Sequence, residues 1–191
     1  MSDHAGVGRS VRDDIETVLV SEQQLGEAVA EIARQLTEDV GDCTPILVGV
    51  LTGAFVFLAD LVRHIEFPVQ VEFMAAHSYG NNTVGGELEI ACDVSCEIAG
   101  RHIVIVDDIV DTGRTLKALA RMLHERGAAS VRTCCLLDKP DRRTCDFEAD
   151  YVGVTIPDHF VVGYGLDFAG EHRNLPFVGV LRPDLYQSSK Q

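Results

Sequence analysis

The chain has 191 residues, 46% of them hydrophobic and 24% charged, which suits one globular domain with a substantial core and is short for two. Its formal charge is −14 with no basic stripe to offset it, which argues against nucleic acid as the main partner, and no apolar run approaches membrane-spanning length. Residues 1–14 mix Asp, Arg, Gly and His without an apolar signal core, so they read as a loose N-terminal extension of a cytoplasmic protein.

Ser21 followed by Gln24 has the form of a capping box, and Leu25, Ala28, Val29, Ile32, Ala33 and Leu36 then mark one face of a helix reaching Gly41. Residues 45–50 (PILVGV) predict a buried strand, from which Leu51, Thr52 and Gly53 lead into a second apolar helix extending to about Arg63. Residues 68–76 alternate well enough for another strand. Strand, helix and strand with short links predict a βαβ unit and a mostly parallel sheet. Residues 77–87 (HSYGNNTVGGE) are rich in Gly and Asn and poor in apolar anchors, so they read as a long mobile loop. Residues 87–92 return as a strand.

Residues 103–115, IVIVDDIVDTGRT, concentrate the chemistry. The β-branched run 103–106 suits a strand buried on both faces, and from Arg114 onward Leu116, Leu119, Ala120 and Leu123 recur at helical spacing until Gly127 supplies a left-handed stop. Asp107, Asp108 and Asp111 therefore lie at a strand-to-helix turn at the carboxyl end of a strand, where open α/β sheets bind ligands. The first N–H groups of a helix lack internal partners and suit a phosphate. Gly113 permits close approach, and Thr112 and Thr115 add hydroxyl donors. Carboxylates beside a phosphate must face something else: sugar hydroxyls, a divalent cation or a proton to be removed. The plainer alternative makes Asp111 or Thr112 a helix cap and Asp107 and Asp108 turn residues. An acidic chain that takes a polyphosphate needs local neutralisation, which makes Mg²⁺ the natural partner.

Residues 130–137 (SVRTCCLL) predict a further buried strand ending at Asp138-Lys139-Pro140. From Tyr151 onward short strands, among them VVGYG at 161–165, and turns form a small cap. The six cysteines lack paired metal-ligand spacing and read as buried thiols in a reducing cytoplasm rather than a zinc site.

The stretch 103–115 resembles the phosphoribosyl diphosphate motif of the type I phosphoribosyltransferases. With it, Leu51-Thr52-Gly53, Ser78-Tyr79-Gly80, Leu137-Asp138-Lys139-Pro140 and residues 156–167 (IPDHFVVGYGLD) follow the order and approximate spacing of the hypoxanthine-guanine phosphoribosyltransferases, over about residues 15–186. The resemblance implies an α/β fold: a mostly parallel twisted sheet flanked by helices, a small hood from the C-terminal and N-terminal segments, and a mobile β-loop. One domain would span 15–186, leaving 187–191 as a tail.

The implied reaction transfers ribose 5-phosphate from phosphoribosyl diphosphate to N9 of a 6-oxopurine, with Mg²⁺ as cofactor. By resemblance, Asp107 and Asp108 address the ribose hydroxyls and Mg²⁺, and Asp111 is the general base at purine N7. Since strand neighbours face opposite ways, the strand is expected to end at the two acids so that both can serve. Asp111 is expected to be a carboxylate without other duties. Thr112, Gly113, Arg114 and Thr115 would cradle the 5-phosphate; Leu51, Thr52, Gly53 and Arg173 would meet pyrophosphate. Lys139 would donate to purine O6, Phe160 stack on the base, and backbone near Val161 and Asp167 meet the purine edge. The Asp167 side chain would hold a second Mg²⁺, and the loop with Ser78 and Tyr79 would close over the site. The resemblance also implies a homo-oligomer, a dimer or tetramer. One departure stands out: many members have a basic residue where Thr52 stands, at a link that is often a non-proline cis peptide. The competing readings are a transferase preferring xanthine or another base, and a phosphoribosyl diphosphate-binding regulator, which the net acidity and Lys139 with Phe160 disfavour.

Overall fold

The computed structural model describes residues 10–78 and 88–187, so Tyr79 and the rest of the expected loop to Glu87 lie outside the described residues. In chain order come β1 (Ile15–Val20), α1 (Glu22–Val40), β2 (Ile46–Leu51), α2 (Phe55–Arg63), β3 (Gln70–Ser78), β4 (Leu88–Cys92) and β5 (His102–Val110). They are followed by α3 (Arg114–Glu125), β6 (Ser130–Asp138), β7 (Tyr151–Thr155), β8 (Val161–Val162), β9 (Val178–Leu181) and α4 (Pro183–Gln187).

The capping box forms as read: the Ser21 N–H donates to Gln24 Oε1 at 2.9 Å and the Gln24 N–H to Ser21 Oγ at 3.3 Å. Leu25, Val29, Ile32, Ala33 and Leu36 are buried along one stripe, and α1 gives way at Gly41.

The main sheet has the order β4-β3-β2-β5-β6-β7, parallel throughout except for β4, which returns antiparallel on β3. Its central strands are buried on both faces, and their pleat sorts the core. Leu47 of β2 with Val104 and Val106 of β5 joins the cluster that holds α1 and α2. Ile46 and Val48 with Ile103 and Ile105 join the opposite cluster, which holds Leu116, Leu119 and Leu123 of α3. A near-continuous apolar run is what such a two-sided strand requires.

A second sheet, β1-β9-β8, is antiparallel. One expectation changes here. β7 does not belong to a C-terminal cap: it pairs parallel with β6, and the Tyr151 hydroxyl reaches Asp39 of α1 at 2.8 Å. As the resemblance implies, the hood also takes in the N-terminal segment: β1, whose mostly exposed face carries little hydrophobic signal, is defined by its ladder to β9. Ser10 to Asp14, assigned from sequence to the N-terminal extension, includes a 3-10 turn at Val11–Asp14, and the Arg182 N–H bonds to the Asp14 carbonyl at 3.0 Å.

All six cysteines are free thiols, but only Cys134 and Cys135, in the middle of β6, are buried. Cys43 and Cys92 are exposed, because they fall at a helix end and on the edge strand β4. Among the described residues, no helix is long and apolar enough to cross a membrane.

Replacing Ser21 with Ala removes the bond from the Gln24 N–H to Ser21 Oγ and leaves the Ser21 N–H bond to Gln24 in place. The expected cost is about 1 kcal/mol, seen as a drop in Tm of roughly 2–4 °C by calorimetry; an unchanged Tm would show that tertiary packing alone sets the start of α1.

Candidate active site

The chain winds outward in both directions from the adjacent pair β2 and β5, and ligands in open α/β sheets bind at the carboxyl ends of strands beside such a reversal. The expected site residues after β2, β5 and β6 meet there.

β5 does not end at its acids. It continues to Val110 in unbroken register with β6, so the pleat sends the two carboxylates to different walls. Asp107 follows Ile103 and Ile105 toward α3. It lines a cavity of about 120 Å³ with Ile109, Val110, Asp111, Thr112, Gly113, Thr115 and Leu116. Asp108 follows Val104 and Val106 toward the start of α2, and its Oδ2 lies 1.7 Å from where a Cβ on Gly53 would stand. Any side chain at 53 would have to displace the Asp108 carboxylate. The expectation that the strand must stop for both acids to serve is therefore corrected: a continuing strand gives each acid its own wall.

At the first wall, Gly113 takes φ +79° and opens α3 with no side-chain cap. Neither Asp111 nor Thr112 is the helix cap, although Thr112 Oγ1 accepts a long 3.4 Å bond from the Arg114 N–H. The cavity thus sits against the positive end of α3, as an anion requires.

At the second wall the Leu51–Thr52 peptide is cis, and the Thr52 side chain is exposed. A Cβ on Gly165 would lie 2.1 Å from the Gly53 carbonyl, so the hood packs directly on this turn. Arg173 Nη1 donates to the Gly165 carbonyl at 2.5 Å and Nη2 pairs with Asp167 Oδ1 at 2.7 Å. Asp167 Oδ2 also accepts the Gly170 N–H at 2.8 Å.

Burial pushes the Asp107 carboxyl well above the ordinary range, and the neighbouring Asp108 charge adds to it. Burial raises Asp108 as well, opposed by its bond with Asp107, the backbone N–H groups of Ile109 and of Asp108 itself, and the Arg173 charge. Two buried carboxylates of this kind favour a proton or a hard cation. Among the described residues no three His, Cys, Asp or Glu side chains gather as a preformed metal cage, and Asp167 is engaged by Arg173 rather than joined to the pair. The oxygen donors of Asp107 and Asp108 still suit Mg²⁺, which commonly takes one or two protein carboxylates and completes its shell with substrate phosphates.

The third group lies beyond β6. Lys139 is 8% exposed, not a surface lysine beside a turn, and its Nζ donates to the His159 carbonyl at 2.5 Å. Burial lowers its affinity for the proton, and the charges of Asp111 and Asp158 oppose that. Phe160 is 41% exposed and so is not a core phenylalanine. One face stacks on Tyr186 at 4.9 Å and 20°, and Phe168 meets it edge-on at 5.6 Å. Val161 is buried in the β8–β9 ladder, which leaves its backbone as its only polar offering.

Asp111 carries a partner, contrary to expectation. Arg142 Nε donates to its Oδ1 at 3.0 Å, and Arg142 Nη1 stands 3.7 Å from Asp158 Oδ2. Arg143 binds both the Asp111 carbonyl and the Asp138 carboxylate, and its Cδ lies 2.9 Å from where a Cβ on Gly113 would be. Sequence reasoning missed this arginine pair. Its visible signal was two adjacent cations following Lys139 in an acidic chain. Tyr186 had no such signal, since nothing local links it to Phe160. Ser78 ends β3, and Tyr79 lies outside the described residues.

Residues 18–169 match the family model described as a phosphoribosyl transferase domain. The chain is 46% identical over 179 residues to a hypoxanthine-guanine phosphoribosyltransferase of Bacillus subtilis (strain 168), a match covering 93% of this chain and 99% of that one. A protein of the same description from Streptococcus pneumoniae (strain ATCC BAA-255 / R6) is 47% identical over 179 residues, again covering 93% and 99%. Among solved structures, a hypoxanthine phosphoribosyltransferase from Staphylococcus aureus superposes with a TM-score of 0.89 at 39% identity, covering 94% of this chain and 98% of that one.

The raised Asp107 carboxyl has a consequence for stability. Its contribution is fully present below the ordinary carboxylate pKa and is lost as pH rises toward and through the elevated one, so stability falls with rising pH. Asp107→Asn without substrate should therefore melt above the parent at pH 8. The expected gap is of the order of 2–4 °C, the change that about 1 kcal/mol brings in a chain of this length, and it should narrow as pH falls toward 5. A variant that melts lower at pH 8, or a gap that widens in acid, contradicts this.

Proposed function

The chain belongs to the phosphoribosyltransferase family, and we propose that it is a Mg²⁺-dependent hypoxanthine-guanine phosphoribosyltransferase of purine salvage. It transfers ribose 5-phosphate from phosphoribosyl diphosphate to N9 of hypoxanthine or guanine and releases pyrophosphate. The observation that carries this reading is the buried Lys139 beside the exposed Phe160, at the end of the sheet where the α3 phosphate turn opens.

The 5-phosphate sits in the cavity at Gly113, held by first-turn N–H groups of α3 and the hydroxyls of Thr112 and Thr115, with Arg114 beside them. Asp107 from the phosphate wall and Asp108 from the diphosphate wall, with their side chains still within reach of each other, face the ribose between them. Their negative charge stabilises the positive character that develops on the ribosyl ring as the bond to pyrophosphate breaks. Asp107 and Asp108 would hold one Mg²⁺ and the Asp167 side chain a second, and their charge would neutralise the diphosphate leaving group.

The Leu51–Gly53 turn addresses pyrophosphate through its backbone, because Thr52 brings no charge, and Arg173 supplies the cation. Purine N9 attacks C1 of the ribose while Asp111 takes the proton leaving N7. Arg142 shares that carboxylate in the free protein, but the pair is half exposed, and exposed pairs contribute only ~0–1 kcal/mol, so the purine displaces it at small cost.

Lys139 has N–H groups beyond the one given to His159, and an ammonium can only donate. A 6-oxo group is therefore accepted, and a 6-amino group leaves two donors facing each other. Phe160 offers a face to the base with Tyr186 behind it. The backbone at Val161 and Asp167 meets the purine edge, and the Ser78–Tyr79 loop excludes water from the ribosyl cation. A homo-oligomer in the cytoplasm completes the reading.

Purified protein with phosphoribosyl diphosphate and Mg²⁺ should form inosine and guanosine monophosphates, with adenine slower by at least ~100-fold, as read by chromatography. Absence of product from every 6-oxopurine overturns the proposal. Asp111→Ala should lower kcat by about 10²–10⁴ while the affinity for phosphoribosyl diphosphate measured by calorimetry stays close to the parent's; loss of both in step would make Asp111 structural.

A further inference from the structure

Asp14 and His172 are separated by most of the chain, yet their side chains meet in a nearly dry contact, with Nε2 2.9 Å from Oδ2 and side-chain exposures of 3% and 7%. Neither residue lies in the motifs that assigned the active site. His172 immediately precedes Arg173, and it adopts φ +74°, a left-handed conformation that non-glycine residues take only when their surroundings hold them there. Its Nδ1 is buried without a hydrogen-bond partner in the structure, so the bond at Nε2 is what orients the ring.

The opposite side of the contact is equally anchored. The Asp14 carbonyl accepts the Arg182 N–H at 3.0 Å, next to β9, and Arg12 of the same 3-10 turn lies over the Phe177 ring at 5.2 Å. The loop being held is the one that matters for the diphosphate wall. Arg173 reaches Asp167 and the Gly165 carbonyl from it, and the Arg173 carbonyl accepts the Gly165 N–H at 3.0 Å.

We infer that Asp14 and His172 are positioning residues for the leaving-group side of the site: their buried bond fixes the loop 167–173 so that Arg173 faces the Leu51–Gly53 turn. The N-terminal 3-10 turn thereby becomes part of the catalytic apparatus without touching substrate. This rests on the assignment of Arg173 to pyrophosphate proposed above.

The test compares ligands that contain the diphosphate with one that lacks it. Pyrophosphate and phosphoribosyl diphosphate need Arg173. Ribose 5-phosphate uses only the phosphate turn and the ribose-facing Asp107 and Asp108, and needs nothing from the loop 167–173. Titration calorimetry on the full chain would measure all three with the parent, His172→Ala, Asp14→Ala, Asp14→Asn and, as reference, Arg173→Gln. The alanine variants should bind pyrophosphate and phosphoribosyl diphosphate about tenfold more weakly, the loss that follows from removing one partner of a charge-assisted bond. Ribose 5-phosphate should bind as to the parent. Asp14→Asn should fall between, because an amide oxygen accepts the same bond without the charge.

A parallel loss for all three ligands, or no loss for the two diphosphates, overturns the inference. If the alanine variants do not fold, Asp14→Asn decides by the same comparison. Weaker pyrophosphate binding in Arg173→Gln but in none of the pair variants sinks the inference while leaving the assignment of Arg173 intact. Unaltered pyrophosphate binding in Arg173→Gln removes that assignment and the inference together.

Discussion

The site depends on the pleat of one parallel strand. β5 must be apolar on both faces because helices cover both, and its alternating side chains are committed to two different cores before the acids arrive. When the same register continues through Asp107 and Asp108, the alternation that sorted valines and isoleucines sorts carboxylates. One faces the positive end of α3, the other the glycine turn before α2. Two neighbouring acids thus face two walls with no bend in the backbone. A one-residue slip of β5 would exchange both acids and the core at once.

A chain of charge −14 that binds a polyphosphate must handle anion repulsion locally. The means at hand in the proposed site are the backbone dipoles at Gly113 and arginines already committed to acids: Arg142 to Asp111, Arg143 to Asp138, Arg173 to Asp167. Such pairs hold the cations in place before substrate arrives and can exchange partners when it does. The exception is the pair of buried Asp107 and half-buried Asp108, whose charge is disfavoured in the free protein. Retaining two such acids at a cost in stability is the pattern expected where function, not folding, selects the residues.

The hood supplies the remaining walls. Its three-stranded sheet unites β1 with β8 and β9, so the N-terminal and C-terminal parts of the domain close over the same end of the main sheet. Contact between the Gly165 and Gly53 backbones leaves no room for any side chain, which ties the position of the hood to the diphosphate wall. The stack of Phe160 on Tyr186 links β8 to α4 in the same way, through residues distant in sequence.

Much of this was legible in the linear sequence. Periodicity and capping chemistry determined α1 and α3, two-sided apolar runs determined the central strands, and Asp107, Asp108, Asp111 and the Thr112–Thr115 turn could be placed at a strand-to-helix junction because each signal is local. Only the tertiary structure decided which wall each acid faces, since pleat direction follows from which helix covers which face. It also decided that Asp111 is shared with Arg142, that β7 extends the main sheet, and that Asp14 reaches His172. Those are contacts between residues far apart in the chain, and their energies depend on burial and approach distance, quantities that exist only once the chain has closed on itself.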